Sequence, residues 1–287
     1  MGRVIGAVVL LACIVSASAH AGSFVWRVAG TENTVYLAGS MHLLPERAYP
    51  LPQAYEDAYA DSGLLVVEAD QDRLQADAVR QTMLAAAHYR EGGLVDHLDA
   101  PMLARTREVL DRTGLSIDRM NAYRPWFVSM AIEVQAYQAQ GFRPDLGLDG
   151  YFHDRAVRDD KPILPLQTIA AHLAVFTDMP ATLSRDQLAV TLDNADELDT
   201  SPEQIYRYWQ SGDIAGFAQS VNEQADAYPA LYDRLIFDRN TQWLATITAV
   251  LNSPDNAMVL VGAAHLVGPR GLVALLQSKG YRVERMD

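Results

Sequence analysis

Residues 258–266 read Met-Val-Leu-Val-Gly-Ala-Ala-His-Leu. Four consecutive apolar residues are typical of a strand buried on both faces of a parallel sheet, and Gly262 allows the chain to turn tightly where that strand ends. His265 is therefore predicted to lie at the carboxyl end of a buried strand.

A second stretch near the start of the chain repeats this pattern. Residues 35–42 read Val-Tyr-Leu-Ala-Gly-Ser-Met-His, which is an apolar strand followed by Gly39, two residues and His42. The two histidines are 223 positions apart in the sequence. Strands that are distant in the chain can be neighbours in an open α/β sheet, where ligands bind beyond the carboxyl ends of the strands. The two Gly-x-x-His motifs are thus predicted to direct two imidazoles into one crevice.

A carboxylate ends a third predicted strand, since Glu68 directly follows the apolar residues 64–67. An unpaired ionised group at the exit of a buried strand is costly, which favours a functional role for Glu68. Two imidazoles and a carboxylate are typical ligands of a divalent metal that activates water. Without a metal, the same three groups could act as general acids and bases. The structural alternative is that each histidine hydrogen-bonds a nearby backbone carbonyl.

Four further residues are candidates for a supporting role. Asp149 precedes a predicted helix, so it could cap that helix or reach the crevice, and His153 lies one turn later on a face expected to be partly exposed. Arg239, beside Asn240, could hold a substrate carboxylate, pair with Glu68 or form a salt bridge with another acid. Three other histidines have no supporting pattern and are expected to have only a structural role: His88, His97 and His172.

The order of the predicted elements determines the fold class. A hairpin, a helix and a strand lead to Glu68, helical patterns with one strand at 162–166 fill about 72–252, and a strand, a helix and a strand complete the chain. This order predicts an α/β protein with a mixed, mainly parallel central sheet flanked by helices and a large helical insertion. Residues 22–287 contain no linker rich in Pro, Gly or Ser, so a single domain is expected.

The first 21 residues are typical of a secretory signal peptide. One basic residue, Arg3, precedes an apolar run and small-residue cleavage sites, and the run is too short to span a membrane. Lipid anchoring at Cys13 is the less favoured alternative, because the sequence before it fits a lipidation motif poorly. Cys13 is the only cysteine, so the mature chain is expected to have no disulfide or thiolate ligand. The sequence predicts an exported protein, either periplasmic or secreted.

The net charge and the absent motifs exclude several functions. Without Arg3 the chain has 22 basic and 36 acidic residues, which argues against nucleic acids and anionic membranes as partners. The mature chain has no apolar stretch long enough for an integral membrane segment. It also lacks the His-Glu-x-x-His, Gly-x-Ser-x-Gly, phosphate-loop and Gly-x-Gly-x-x-Gly motifs. The absence of these motifs argues against assigning the chain to the zincins, the common serine hydrolases or the nucleotide-binding enzymes.

Taken together, these residues resemble the TraB/GumN family, also called TraB/PrgY/GumN, from Trp26 to Arg285. The resemblance rests on the following motifs in this order: Trp26-Arg27-Val28, residues 36–42, Pro50-Leu51-Pro52, Val66-Val67-Glu68, Arg124-Pro125-Trp126, Gly147-Leu148-Asp149, Asp238-Arg239-Asn240 and residues 261–266 with Gly268 and Gly271. The family is similar to the Tiki metalloproteases, which depend on manganese or cobalt, and more remotely to erythromycin esterases and ChaN-like haem-binding proteins.

The resemblance implies His42, Glu68 and His265 as the site, with Arg239 and Asp149 in support. It also implies a divalent metal, with Mn or Co favoured and Zn possible. The sequence departs from the family pattern at Gln167, where relatives often carry a glutamate. A site that needed this second carboxylate would bind a dication less tightly here.

The predicted function is an exported, divalent-metal-dependent hydrolase that cleaves peptide or amide bonds. In this interpretation His42, His265 and Glu68 bind the metal, or Glu68 activates water. Arg239 stabilises negative charge, and Asp149, Asn240 and Gln167 support the site or the substrate. Two alternatives remain open, namely a non-catalytic binding protein that captures a peptide or haem, and a metal-free esterase. The expected partner is a peptide or a small-molecule substrate.

Overall fold

The computed structural model describes residues 23–287. The predicted signal peptide and Cys13 lie outside the described residues. The described part contains a six-stranded sheet, and its strands are β1 (Val25–Ala29), β2 (Thr34–Ser40), β3 (Leu64–Val67), β4 (Ile163–Pro165), β5 (Ala257–Gly262) and β6 (Val283–Arg285). The helices are α1 (Gln53–Asp61), α2 (Gln71–Leu74), α3 (Asp77–Ala87), α4 (Leu94–His97), α5 (Ala100–Arg112), α6 (Ile117–Met120), α7 (Pro125–Ala139), α8 (Leu148–Arg158), α9 (Ile169–Thr177), α10 (Ala181–Asp193), α11 (Ser201–Ser211), α12 (Ile214–Ala227), α13 (Pro229–Tyr232), α14 (Asp238–Leu251) and α15 (Leu272–Ser278).

The strand order in the sheet is β4-β3-β5-β2-β1-β6. β4, β3, β5 and β2 run parallel to one another, whereas β1 runs antiparallel to both β2 and β6. The predicted α/β class, with a mixed and mainly parallel sheet flanked by helices, is confirmed.

The two Gly-x-x-His motifs follow adjacent strands. β5 pairs with β2 in a register that places Ser40 opposite Gly262, so both strands end at the same level. Their apolar residues are buried because β5 has a neighbour on each side and helices cover the sheet. On its other side β5 pairs with β3, which brings the exit of β3 to the same edge of the sheet.

The largest hydrophobic core surrounds this sheet, and two smaller clusters lie among the helices between β3 and β5. The predicted helix over 72–90 is divided into α2 and α3, because Ala76 between them has an extended conformation. The predicted helix over 229–251 contains a π-helical turn, Asp233–Phe237, that ends just before α14. Among the helices of residues 23–287, none is both long and apolar enough to cross a membrane.

Candidate functional site

Three neighbouring parallel strands end at one edge of the sheet and carry the three predicted site residues. Glu68 directly follows β3, His42 follows β2, and His265 lies in a 3₁₀ turn after β5. A Cβ atom added to Gly262 would lie 3.4 Å from Glu68 Oε1, 3.5 Å from His265 Cδ2 and 3.8 Å from His42 Nε2. The three side chains therefore surround the bare α-carbon of Gly262.

The tautomer of His265 is set by Asn240 on α14. Asn240 Nδ2 donates to the carbonyls of His265 and Arg270 at 3.1 and 3.0 Å, so its Oδ1 is the acceptor that lies 2.7 Å from His265 Nδ1. His265 Nδ1 thus carries the hydrogen, and the lone pair of Nε2 accepts from Arg239 Nη1 at 3.2 Å, while Nε2 lies 3.8 Å from Glu68 Oε1. Burial lowers the pKa of His265 to about 3, so the ring is neutral at neutral pH.

Glu68 is a buried carboxylate with two donors. The Gly262 N–H donates to Oε1 at 2.8 Å, and Arg239 Nη2 donates to Oε2. Burial by itself would raise the pKa of Glu68, but His265, Arg239, His42 and the Gly262 N–H together bring this pKa well below its ordinary value. Because His265 is neutral, the permanent charge of Arg239 is the partner that keeps Glu68 ionised.

Arg239 connects Glu68 to His265. Its Nη1 donates to the Leu235 carbonyl at 3.0 Å and lies 3.2 Å from His265 Nε2. The guanidinium also lies over the Trp243 ring, 4.6 Å from the ring centre. The sequence left several partners open for Arg239, and in the structure Arg239 forms an ion pair with Glu68.

His42 is held from the opposite side by α8. Gly147 lies so close to His42 that a Cβ atom there would be 2.2 Å from the His42 carbonyl oxygen. This close approach lets Asp149 Oδ2 accept from His42 Nδ1 at 2.8 Å while Oδ1 accepts from Ser40 Oγ at 3.0 Å. Gly147, and not Asp149, occupies the N-cap position, so Asp149 orients His42 and does not cap the helix.

The negative charge of Asp149 raises the pKa of His42 to about 9, against the effect of desolvation. Asp149→Asn is therefore expected to lower the pKa of His42 toward its ordinary value. Histidine NMR titration of chelator-treated protein measures this pKa, with Asp154→Asn, an exposed carboxylate on the same helix, as the control. Since 66% of the His42 side chain is exposed, water screens part of the attraction. A His42 pKa unchanged in Asp149→Asn would contradict the role of Asp149.

Trp243 and His172 are parts of the site that sequence reasoning missed. The Trp243 ring packs on His265 with centres 4.6 Å apart, and its Nε1 donates to Gln167 Oε1 at 3.1 Å. This fixes the Gln167 amide so that Nε2 donates to His172 Nδ1 at 2.7 Å. Gln167 thus joins Trp243 to His172. The sequence had suggested only a structural role for His172. The spacing of Arg239, Asn240 and Trp243 on one helical face could have identified Trp243, but no sequence pattern points to His172.

The chain matches one known protein family over almost all of the described residues. The sequence profile of the TraB/PrgY/gumN family matches residues 24–285. The chain belongs to this family. It is also similar to a protein from Amphimedon queenslandica named Metalloprotease TIKI homolog, with 35% identity over 75 residues, which are 25% of this chain and 14% of that protein. No solved structure matches the chain significantly.

A different group of side chains in this TraB/PrgY/gumN protein has its potential metal-ligand atoms closest to one another. Among residues 23–287, the only three potential ligands with all donor atoms within 4.8 Å of one another are those of Asp70, Asp72 and His153. The predicted set of His42, Glu68 and His265 is more widely spaced, and its role as a metal site stays a prediction. His153 was expected to be partly exposed, and this was wrong, because α8 turns it inward and leaves it 3% exposed.

Among the described residues, one cavity lies away from the site and a smaller one lies beside it. The larger, about 920 Å³, is formed by residues between Glu133 and Leu235, and none of the predicted site residues lines it. The smaller, about 610 Å³, is mainly apolar and is lined by Leu74, Val79, Met83, Met130, His172, Leu173 and Phe176 among others. Because His172 also contacts Gln167, the smaller cavity adjoins the candidate site.

Proposed function

We propose that this TraB/PrgY/gumN protein is a divalent-metal-dependent hydrolase that cleaves peptide or amide bonds. The observation that carries the proposal is the grouping of His42, Glu68 and His265 around Gly262 at the edge of three parallel strands. Similarity to a protein named as a metalloprotease supports the reaction class.

The donor atoms suit a divalent metal in type and orientation. Asn240 fixes His265 with its proton on Nδ1, which leaves Nε2 as the lone-pair nitrogen, and Asp149 binds His42 Nδ1, so that His42 Nε2 is available to the metal once it has lost its proton. The space that a Cβ atom of Gly262 would fill lies among the three side chains. His42 Nε2 already lies at this space, 3.8 Å from the position of that Cβ atom. His42, His265 and Glu68 would hold the ion.

A divalent ion held there would polarise the scissile carbonyl and activate a water molecule. Glu68 already accepts from Gly262 and Arg239, so it acts as a fixed anionic ligand and not as a proton carrier. Arg239 holds this anion in place and adds positive charge at the position where negative charge develops in the transition state. Asp149 and Asn240 orient the two histidines, and Trp243 packs against the His265 ring.

The smaller cavity indicates which substrates the site would accept. Its aliphatic, methionine and phenylalanine side chains offer an apolar surface next to His172. A peptide bound across the strand edge could place one apolar side chain in this cavity. We therefore propose peptides with a bulky apolar residue beside the scissile bond.

The test is cleavage of fluorogenic peptides with Phe, Leu or Asp beside the scissile bond, in Mn²⁺, Co²⁺ or Zn²⁺. His42→Ala and His265→Ala are each expected to lower kcat/KM by at least about 10² and to reduce bound metal. His97→Ala is the control, because His97 is exposed and stacks on Tyr89 outside the site. Cleavage by both site variants at the wild-type rate would refute the proposal, and a wild type that binds peptide without turnover would favour a binding protein.

One contact favours a second candidate function, metal-free hydrolysis. Arg239 Nη1 lies 3.2 Å from His265 Nε2, so a metal ligand role for His265 requires Nη1 to give up this contact. In the metal-free reaction, unprotonated His42, oriented by Asp149, would take a proton from the attacking water and return it to the leaving group. Cleavage that resists chelators and is lost in Asp149→Asn would support this candidate. Cleavage that chelators abolish and Mn²⁺ restores would exclude it.

A further inference from the structure

We propose that Asp70, Asp72 and His153 form a second site for a divalent transition metal, separate from the site at His42 and His265. The three residues come from two elements. Asp70 and Asp72 lie at the start of α2, just after β3, and His153 lies in the middle of α8. Their donor atoms all lie within 4.8 Å of one another.

His153 is the observation that separates this group from an ordinary cluster of surface acids. Its side chain is buried, yet neither ring nitrogen has a hydrogen bond within residues 23–287, and Nδ1 faces the carboxylates. Nδ1 lies 3.9 Å from Asp72 Oδ1 and 3.6 Å from Asp154 Oδ1, which is too far for a hydrogen bond. An ion between the imidazole and the carboxylates would supply the missing partner.

The other contacts of the acidic residues leave room for an ion. Asp70 Oδ1 accepts from the Arg73 backbone N–H at 3.1 Å, and Arg73 Nε lies 3.4 Å from Asp70 Oδ2. The Arg73 side chain is mostly exposed, so it can leave Asp70 at small cost. Asp72 is exposed and has no hydrogen bond through its side chain among the described residues. Asp70 Oδ2 and the Asp72 carboxylate are therefore available to an ion beside His153.

The ligand types decide which ion fits. One imidazole nitrogen with two carboxylates suits Mn²⁺, Co²⁺ or Zn²⁺, whereas Ca²⁺ and Mg²⁺ prefer oxygen ligands alone. An ion at this site would connect the exit of β3 to α8. Asp70 is two residues after Glu68, and His153 is one helical turn after Asp149, so the ion would hold together the two elements that position Glu68 and His42.

The experiment counts bound Mn²⁺ by calorimetry and electron paramagnetic resonance on the full chain. His42→Ala/His265→Ala should still bind one Mn²⁺, and adding Asp72→Asn to this variant should abolish that binding or weaken it at least tenfold. His153→Leu should have the same effect as Asp72→Asn. Asp77→Asn is the matched control, because Asp72 and Asp77 have equal side-chain exposure, 78% each, and it should leave binding unchanged. Asp72 is at the surface, so Asp72→Asn tests the site without disturbing the core.

The outcomes separate this site from the proposed catalytic metal. Loss of all Mn²⁺ in His42→Ala/His265→Ala, or binding that Asp72→Asn and His153→Leu leave unchanged, would overturn the second site. Binding that depends on Asp72 and His153 but not on His42 and His265 would support the second site and refute the metal part of the proposed function. Two ions in the wild type, each lost with its own variants, would support both.

Discussion

Replacing Glu68 with glutamine is expected to lower the free energy of unfolding by about 3–5 kcal/mol, because it leaves the buried Arg239 guanidinium without its counter-charge. Glu68 is buried and Arg239 is mostly enclosed, and Glu68 accepts from Arg239 and from the Gly262 N–H. Urea denaturation of the wild type and of Glu68→Gln measures the difference. The control is Glu284→Gln, since Glu284 pairs at the surface with Arg27 and Arg282 and should give no measurable change.

The same variant should change the response to acid. The pKa of Glu68 is lower in the folded protein than in the unfolded chain. Its contribution to stability is thus fully present above the unfolded pKa and is lost as the pH falls toward the folded value. Glu68→Gln should therefore lose less stability than the wild type between about pH 5 and pH 3. A variant that is as stable as the wild type at pH 7 would show that the ion pair with Arg239 contributes no net stability.

Replacing Gly262 with alanine is expected to lower kcat/KM by at least about 10² without destabilising the protein. The new methyl group would lie among Glu68, His265 and His42 at ordinary contact distances, in the space assigned to metal and substrate. The backbone of Gly262 has φ −50° and ψ 135°, a conformation that alanine adopts easily, so the fold should tolerate the change. Peptide cleavage, bound metal and thermal unfolding are measured together.

The matched control for Gly262→Ala is Gly63→Ala, at the opposite end of β3. A Cβ atom at Gly63 would also make only ordinary contacts, the nearest at 3.8 Å from the Asn256 carbonyl oxygen. This control should leave both cleavage and thermal unfolding close to wild type. If Gly262→Ala cleaves peptides as the wild type does, the reaction does not take place among these three side chains.

The strand ends of this fold could be predicted from the sequence because the signals are local. A run of apolar residues followed by glycine identifies β2 and β5, and the polar residue that follows each strand must lie at its exit. The family resemblance added Asp149, which the local pattern could equally explain as a helix cap. The structure gives Asp149 its contact with His42 only because Gly147 allows α8 to begin against the His42 backbone.

The contacts between helices could not be predicted, because they depend on how distant segments pack. Trp243 reaches Gln167 across 76 residues of sequence, and the link from Gln167 to His172 follows from the position of α9. The burial of His153 was misjudged for the same reason. A histidine next to aspartates in a helix is usually solvated, and only the packing of α8 beside α2 encloses it.

The position of β5 in the sheet also determines when the site can form. β5 separates β2 from β3, so the strands that lead to His42 and Glu68 are joined only through a segment that begins at Ala257. Until that late segment inserts, the two earlier strands have open edges facing each other and the two residues share no sheet. Non-local pairings of this kind form slowly. Assembly of the site is thus tied to the completion of folding, and a partly folded chain lacks the grouping of side chains on which the proposed hydrolysis depends.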